Sequence, residues 1–419
     1  MNLRRVDSIS SGMGIEGIAE LPLHDGHVPP WLLVYMKKLG KAIVEYIVDE
    51  FGPSELVRRL SDPFWFQAFN NVIGMDWDSS GSTTVVIYVL KSFANVDTFK
   101  DIGFAVLGGK GSDARKVLEE LAKLSRYSNL DTHVLEYVSR LSAKIDSVAL
   151  QDGYTLYIHS LIVSEDGLWT VIQQGMNLEI KMARRYHIHG VGRSITVEKD
   201  PHSGIACNKM HRVLNLVDEE SKDSRRAILD IVSDTEPRKI VEYLHTVNRV
   251  LRRVGSLTRW MKSSTKRDES IDEKSLQVRA SLNPRFYRPI TDINRIEMVL
   301  KKLYEYKPRT FEEMLALRGL GPEAIRALAL IADVIYNARP SFRDPVTHPI
   351  DPFIYAYAHG GKDGIPFPVR PDLMRQSIEF LRRAIEESKL EEKYRRQALR
   401  RLARYIASVV ESVNQRESN

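Results

Sequence analysis

Residues 153–176 read GYTLYIHSLIVSEDGLWTVIQQGM. Two runs rich in β-branched and aromatic side chains flank a polar four-residue segment, which predicts an antiparallel hairpin. With the turn at Ser164–Gly167, Val163 pairs with Leu168, and alternation sets the rest of the register. Tyr157, His159, Thr170, Ile172 and Gln174 then share one face. Tyr154, Leu156, Ile158, Trp169 and Val171 lie mainly on the other, the expected core. A slip of one residue would bury Tyr157 and His159 instead.

Upstream of the hairpin, residues 31–51 have helical periodicity that stops at Gly52-Pro53. Residues 54–82 read as a short helix, an Asp-Pro break, an aromatic-rich helix and a polar loop. The run TTVVIYVLKSF (83–93) is β-branched and is expected to be a buried strand. A strand, a glycine loop and a helix follow over 103–124, then a helix over 131–148. Downstream, 180–215 is strand or loop rich in Arg and His, and 216–258 is helical. The expected fold class is α+β. A mixed α/β domain with a hairpin-containing sheet (1–258) is joined by a polar linker (259–285) to an all-helical domain (286–370), with charged helices at 371–419.

A chain of 419 residues exceeds what one core usually serves. The excess of Lys+Arg (61) over Asp+Glu (55) permits a nucleic-acid partner without requiring one. A single cysteine, Cys207, excludes an intramolecular disulfide and a zinc ribbon. Apolar runs are strand-sized, and MNLRRVDSIS lacks the apolar segment of a secretory signal. A cytoplasmic protein with no membrane partner is expected.

Residues 317–328, LRGLGPEAIRAL, interrupt a helical region. Thr310 and Glu313 form a capping-box pattern, Gly319-Leu320-Gly321 can reverse the chain, and Pro322 suits the first turn of the next helix. This arrangement resembles helix-hairpin-helix DNA-binding motifs, in which backbone N–H groups meet a phosphate. Glu323 opposes such contact, while Arg318 and Arg326 are near enough to compensate. The other reading is an αα-hairpin with no ligand.

A wider resemblance rests on LPLHDGHVPPWL, RLSDPFWFQAF, DWDSSGSTTV, GGKG, DSVALQDGYTLYIH, DGLWTVIQQGMN, ARRYHIHG, DPHSGIACN, RALALIADVIY and AHGGKDGIPFPV. These segments are similar to the prokaryotic family catalogued as domain of unknown function 763, over most of residues 15–370. Asp78 stands where relatives usually carry histidine, which changes the ligand set if a metal binds there. The resemblance implies an architecture and association with DNA, not a reaction.

Several clusters point to chemistry. Asp146, Gln151, Asp152, Tyr157, His159 and Gln174 are expected around one sheet face, where the acids could hold Mg²⁺ or Mn²⁺ and activate water. Glu179-x-Lys181 after the second strand resembles restriction-endonuclease-like cores, in which the lysine stabilises developing charge. Asp76 and Asp78, with Ser79, Ser80 and Gly81, form a second hard-cation candidate, with His24 and His27 as companions. Ordinary turn capping explains the same residues. Lys110 in GGKG suits a phosphate contact, although the glycine spacing is not that of a nucleotide-binding P-loop. Arg184, Arg185 and Arg193, with Tyr186, could clamp phosphates and stack a base, or form a solvated basic strand. His202 is a candidate acid/base, and Arg396, Arg400 and Arg404 share a helix stripe. The leading expectation is a metal-dependent deoxyribonuclease in DNA repair or recombination. The alternatives are a base-excision glycosylase using Asp344 and a non-catalytic DNA adaptor.

Overall fold

The computed structural model describes residues 28, 30–73, 75, 81–207, 210–255 and 273–347. Within them the chain begins with α1 (Pro30–Phe51), α2 (Pro53–Leu60), α3 (Pro63–Val72) and α4 (Gly81–Lys91). Prolines open α2 and α3, and the Asp62 carboxylate caps α3 by accepting from the Phe64 N–H at 2.8 Å.

The β-branched run expected as a strand is α4. Its Val85, Val86, Ile87, Val89 and Leu90 are all buried, so the run carries no single-face period to betray its helicity. A Cβ on Gly40 would sit 2.9 Å from Val89 Cγ1, so glycine is what lets α1 approach α4 this closely.

Next come α5 (Phe99–Ile102), β1 (Phe104–Lys110), α6 (Val117–Leu124) and α7 (Thr132–Lys144), which widens into a π-type turn at Ile145–Ala149. The strands β2 (Leu150–Gln151), β3 (Thr155–Ser164), β4 (Leu168–Asn177), β5 (Met182–Val191), β6 (His202–Ala206) and β7 (Leu214–Asn215) follow. Helices α8 (Lys222–Asp234), α9 (Pro237–Gly255), α10 (Glu273–Leu282), α11 (Ile293–Tyr306), α12 (Phe311–Ala316) and α13 (Pro322–Val334) close the described chain. Residues 273–282, expected as linker, are therefore helix, with Leu276 buried.

The fold is α+β, built on a five-stranded antiparallel sheet in the order β1-β3-β4-β5-β6, and β2 pairs with β7 beside it. The hairpin forms with a register one residue away from the expected one. Val163 pairs with Trp169, and Gly167 takes φ +85° to close a shorter loop, its N–H donating to the Ser164 carbonyl at 3.0 Å. A bulge at Tyr157 shifts the ladder again. The result places His159 on the face of Leu161, Trp169, Val171 and Gln173. Gln174 falls on the opposite face with Ile158 and Ile172.

Each sheet face carries a helical layer. Phe104, Val106, Ile162 and Ile172 pack with α1 to α4. Leu161, Val163, Trp169, Val171 and Ile188 pack with α6 to α9 and share one continuous cluster with α10 to α13. Among the described residues, α10 to α13 thus share the core on the sheet rather than forming one of their own.

Candidate functional site

The α7-facing side of the sheet carries two chains of buried polar groups. In the first, Ser139 Oγ lies 2.7 Å from His159 Nε2, and His159 Nδ1 lies 3.0 Å from Gln173 Oε1. The Gln173 amide donates to Asp146 Oδ2, and Asp146 Oδ1 lies 2.6 Å from His202 Nε2. His202 Nδ1 then meets Asp200. The π-type turn after α7 is what lowers Asp146 onto the sheet face.

Burial alone would depress the His202 imidazole, but Asp146 and Asp200 outweigh it and hold the pKa at about 10. His202 is therefore an imidazolium donating from both nitrogens. Burial pushes the His159 imidazole down, so it is neutral, accepting from Ser139 and donating to Gln173. Donor and acceptor directions agree along the whole chain.

The second chain centres on Arg184, which is 0% exposed. Its guanidinium donates to Asp152 Oδ2 at 3.0 Å and to both oxygens of Asp344, at 3.1 and 2.9 Å. Asp152 also accepts from the Tyr186 hydroxyl at 2.7 Å and the Tyr154 N–H at 3.0 Å. Asp344 accepts from the backbone N–H groups of His211 and Val346. This is a clamp that ties the segment after α13 to the sheet.

Arg185, on the other face, is 1% exposed and packs among α3 side chains. Gln174 neighbours it across the ladder, donating to the Tyr157 hydroxyl and accepting from Thr83.

A cleft of about 600 Å³ opens where the ends of β3 and β4 meet the segment between α10 and α11. Arg212, Arg285, Arg288 and Arg326 line it against one carboxylate, Glu179. Arg285 pairs with Glu179 at 2.7 Å, Arg288 pairs with Glu323, and Arg212 is exposed. The glycine turn adjoins this cleft. Gln151, a lining residue, donates to the Pro322 carbonyl at 2.8 Å, and Lys144 donates to the Leu320 carbonyl. Thr310 caps α12 by accepting from the Glu313 N–H, Gly319 has φ +97°, and Leu320 is buried beneath the turn.

The expected site residues separate on this frame. Asp146 and His159 join through Gln173, while Asp152 belongs to the Arg184 clamp and Gln174 to the opposite face. Lys181 is exposed in the β4–β5 turn at φ +53°, so the Glu179-x-Lys181 pattern serves a turn and the Arg285 ion pair. Arg184, Arg185 and Arg326 are buried and do not present guanidinium groups to a backbone in solution. Arg326 donates to the carbonyls of Phe286 and Arg288 at 2.9 and 2.7 Å.

Other expected residues keep their exposure. Lys110 sits over the Tyr157 ring at 5.9 Å, and exposed Arg193 over Tyr137 at 4.3 Å. Arg318, Gly319 and Gly321 line the turn, the first two exposed. Asp76, Asp78, His24, His27, Arg396, Arg400 and Arg404 lie outside the described residues. Among the described residues no cluster of three or more His, Cys, Asp or Glu has a metal-holding arrangement. No helix there is long and apolar enough to cross a membrane.

Sequence reasoning missed Gln173, Asp200, Lys144, Arg212, Arg285 and Arg288. The adjacent Gln173-Gln174 pair held a signal, because neighbouring strand residues must face opposite layers. Arg285 was hidden at the end of the segment expected as linker, and Arg288 lies just beyond it.

A family model described as a protein of unknown function (DUF763) matches residues 17–369. No curated protein and no solved structure matches significantly.

Proposed function

The chain belongs to the DUF763 family, and we propose that it binds DNA through the arginine-lined cleft and the glycine turn beside it. The supporting observation is their contiguity: Gln151 belongs to the cleft wall and is hydrogen-bonded to Pro322 at the turn. In this reading the α12–turn–α13 unit works as a helix-hairpin-helix. Its amides contact one phosphate while Arg212 and Arg285 hold neighbouring ones, giving affinity without sequence preference. Lys144, beneath the turn, adds a cation that the sequence did not reveal.

Binding should fall steeply with salt. Arg212→Ala with Arg285→Ala should weaken it at least tenfold and reduce the salt slope by about one per lost contact. No retardation of single- or double-stranded DNA at low ionic strength would overturn the reading.

Hydrolysis, the activity the sequence suggests, would use Mg²⁺ or Mn²⁺ at Asp76 and Asp78, because Asp146 and Asp152 are already matched to His202 and Arg184. End-labelled DNA incubated with either metal or with chelator separates a nuclease from an adaptor. The glycosylase reading is the weaker one, since Asp344 has both oxygens engaged by Arg184.

A further inference from the structure

Arg185 is a buried cation whose acceptors among the described residues are all neutral. Its Nε donates to His187 Nε2 at 3.0 Å, Nη1 to Gln67 Oε1 at 3.3 Å, and Nη2 to the Pro63 carbonyl at 3.3 Å. The Phe66 ring lies 4.4 Å from the guanidinium carbon. His187 Nδ1 lies 3.0 Å from the Leu60 carbonyl, which fixes Nδ1 as donor and makes Nε2 the acceptor for Arg185. Among the described residues no carboxylate pairs with Arg185, and burial lowers its pKa to about 9. Burying an uncompensated cation is unfavourable, and a nearby anion removes the penalty.

The surroundings are polar where an apolar layer would be expected. Gln67, Asn70, Ser82, Thr83, Gln174 and His187 are all buried on this one side of the sheet. Asn71 accepts from Gln67 at 3.2 Å and from Asn70 at 3.0 Å, yet its own buried amide finds no acceptor among the described residues. Gln67 links the two: its oxygen accepts from Arg185 and its amide reaches Asn71. A guanidinium with no carboxylate partner among the described residues and an amide with no acceptor lie one glutamine apart, and one anion would serve both.

We propose that Arg185 and Asn71 form an oxyanion site that takes a phosphate group. Tyr157 links this region to the cleft. Its ring lines the arginine cleft, and its hydroxyl accepts from Gln174, the cross-strand neighbour of Arg185. The proposal does not require the cleft to hold DNA.

The test is thermal melting of the full chain at constant ionic strength with inorganic phosphate, a nucleoside 5′-monophosphate, or chloride alone. The melting temperature should rise with phosphate-bearing probe and stay flat in chloride. A larger rise with the monophosphate than with inorganic phosphate assigns the group to a nucleotide; the reverse assigns it to free phosphate. Arg185→Gln should melt at or above wild type without probe and show no response to either. Wild type unmoved by both probes, or Arg185→Gln responding as wild type does, overturns the proposal. If Arg185→Gln does not fold, Asn71→Leu serves: at least a tenfold weaker response is expected, and an unchanged one overturns. Arg212→Ala with Arg285→Ala should keep the response in full; its loss there would assign the anion to the cleft and defeat the Arg185 site.

Discussion

Arg184 and Arg185 are adjacent in the chain, equally buried and on opposite faces of β5, yet their surroundings differ in kind. Arg184 meets two carboxylates and holds the segment after α13 against the sheet. Arg185 meets an imidazole, an amide oxygen and a backbone carbonyl. Among the described residues, the first arrangement is matched in charge by two carboxylates, although its Nε finds no acceptor; the second has acceptors for all three nitrogens but no carboxylate. Burial of a charge therefore says little by itself, and the partner set decides between a structural clamp and a site awaiting an anion.

The comparison breaks first at Arg184. Arg184→Met leaves Asp152 and Asp344 buried without a cation, and should cost about 3–5 kcal/mol in denaturant unfolding. A loss below about 1 kcal/mol would mean that Arg184 is no more committed than its neighbour.

His202 extends the test along the same face. Its folded pKa of about 10 lies above its ordinary value of 6.5. The sign follows: its contribution is complete below about pH 6.5 and is lost as pH rises through about 10. Wild type should lose melting temperature across that window, and His202→Gln should flatten the decline. A wild-type profile without slope there would show that Asp146 and Asp200 do not hold the imidazolium.

Arg185→Gln is the smaller and opposite effect. Removing a cation that has no counter-charge among the described residues should leave stability within about 1 kcal/mol of wild type, or raise it. Calorimetric melting beside Arg184→Met reads the contrast directly; a multi-kcal/mol loss would make the two arginines alike.

The two faces also differed in how far the sequence could be read. The hairpin was legible because alternation and a polar turn agree, and so was the Thr310 cap, although the Glu313 carboxylate accepts from the Arg309 N–H rather than from Thr310. Its register was not. Gly167 at φ +85° closes a loop one residue shorter than Ser164–Gly167, and that single step moved His159 to the α7 side and left Gln174 opposite. The run 83–93 misled for another reason: buried on nearly all sides, it has no period to separate helix from strand. Arg184 and Arg185 looked like one basic patch because a strand pattern gives faces but not partners. Their carboxylates, or lack of them, come from 32 and 160 residues away, a pairing no local spacing encodes.

The finest contrast lies within the glycine turn. Gly319 has φ +97°, where a side chain is strained, so Gly319→Ala should cost about 1–2 kcal/mol of stability. Gly321 has φ −118° and ψ 173°, extended backbone open to any residue, and a Cβ there meets nothing within 4 Å. Gly321→Val should therefore change stability by less than about 0.5 kcal/mol. If the turn contacts phosphate, a branched side chain in this open space keeps the α13 amides from it, so binding falls while melting is unchanged. Unaltered DNA affinity in a stable Gly321→Val protein would reduce the turn to a connector, leaving the cleft arginines to carry any binding alone.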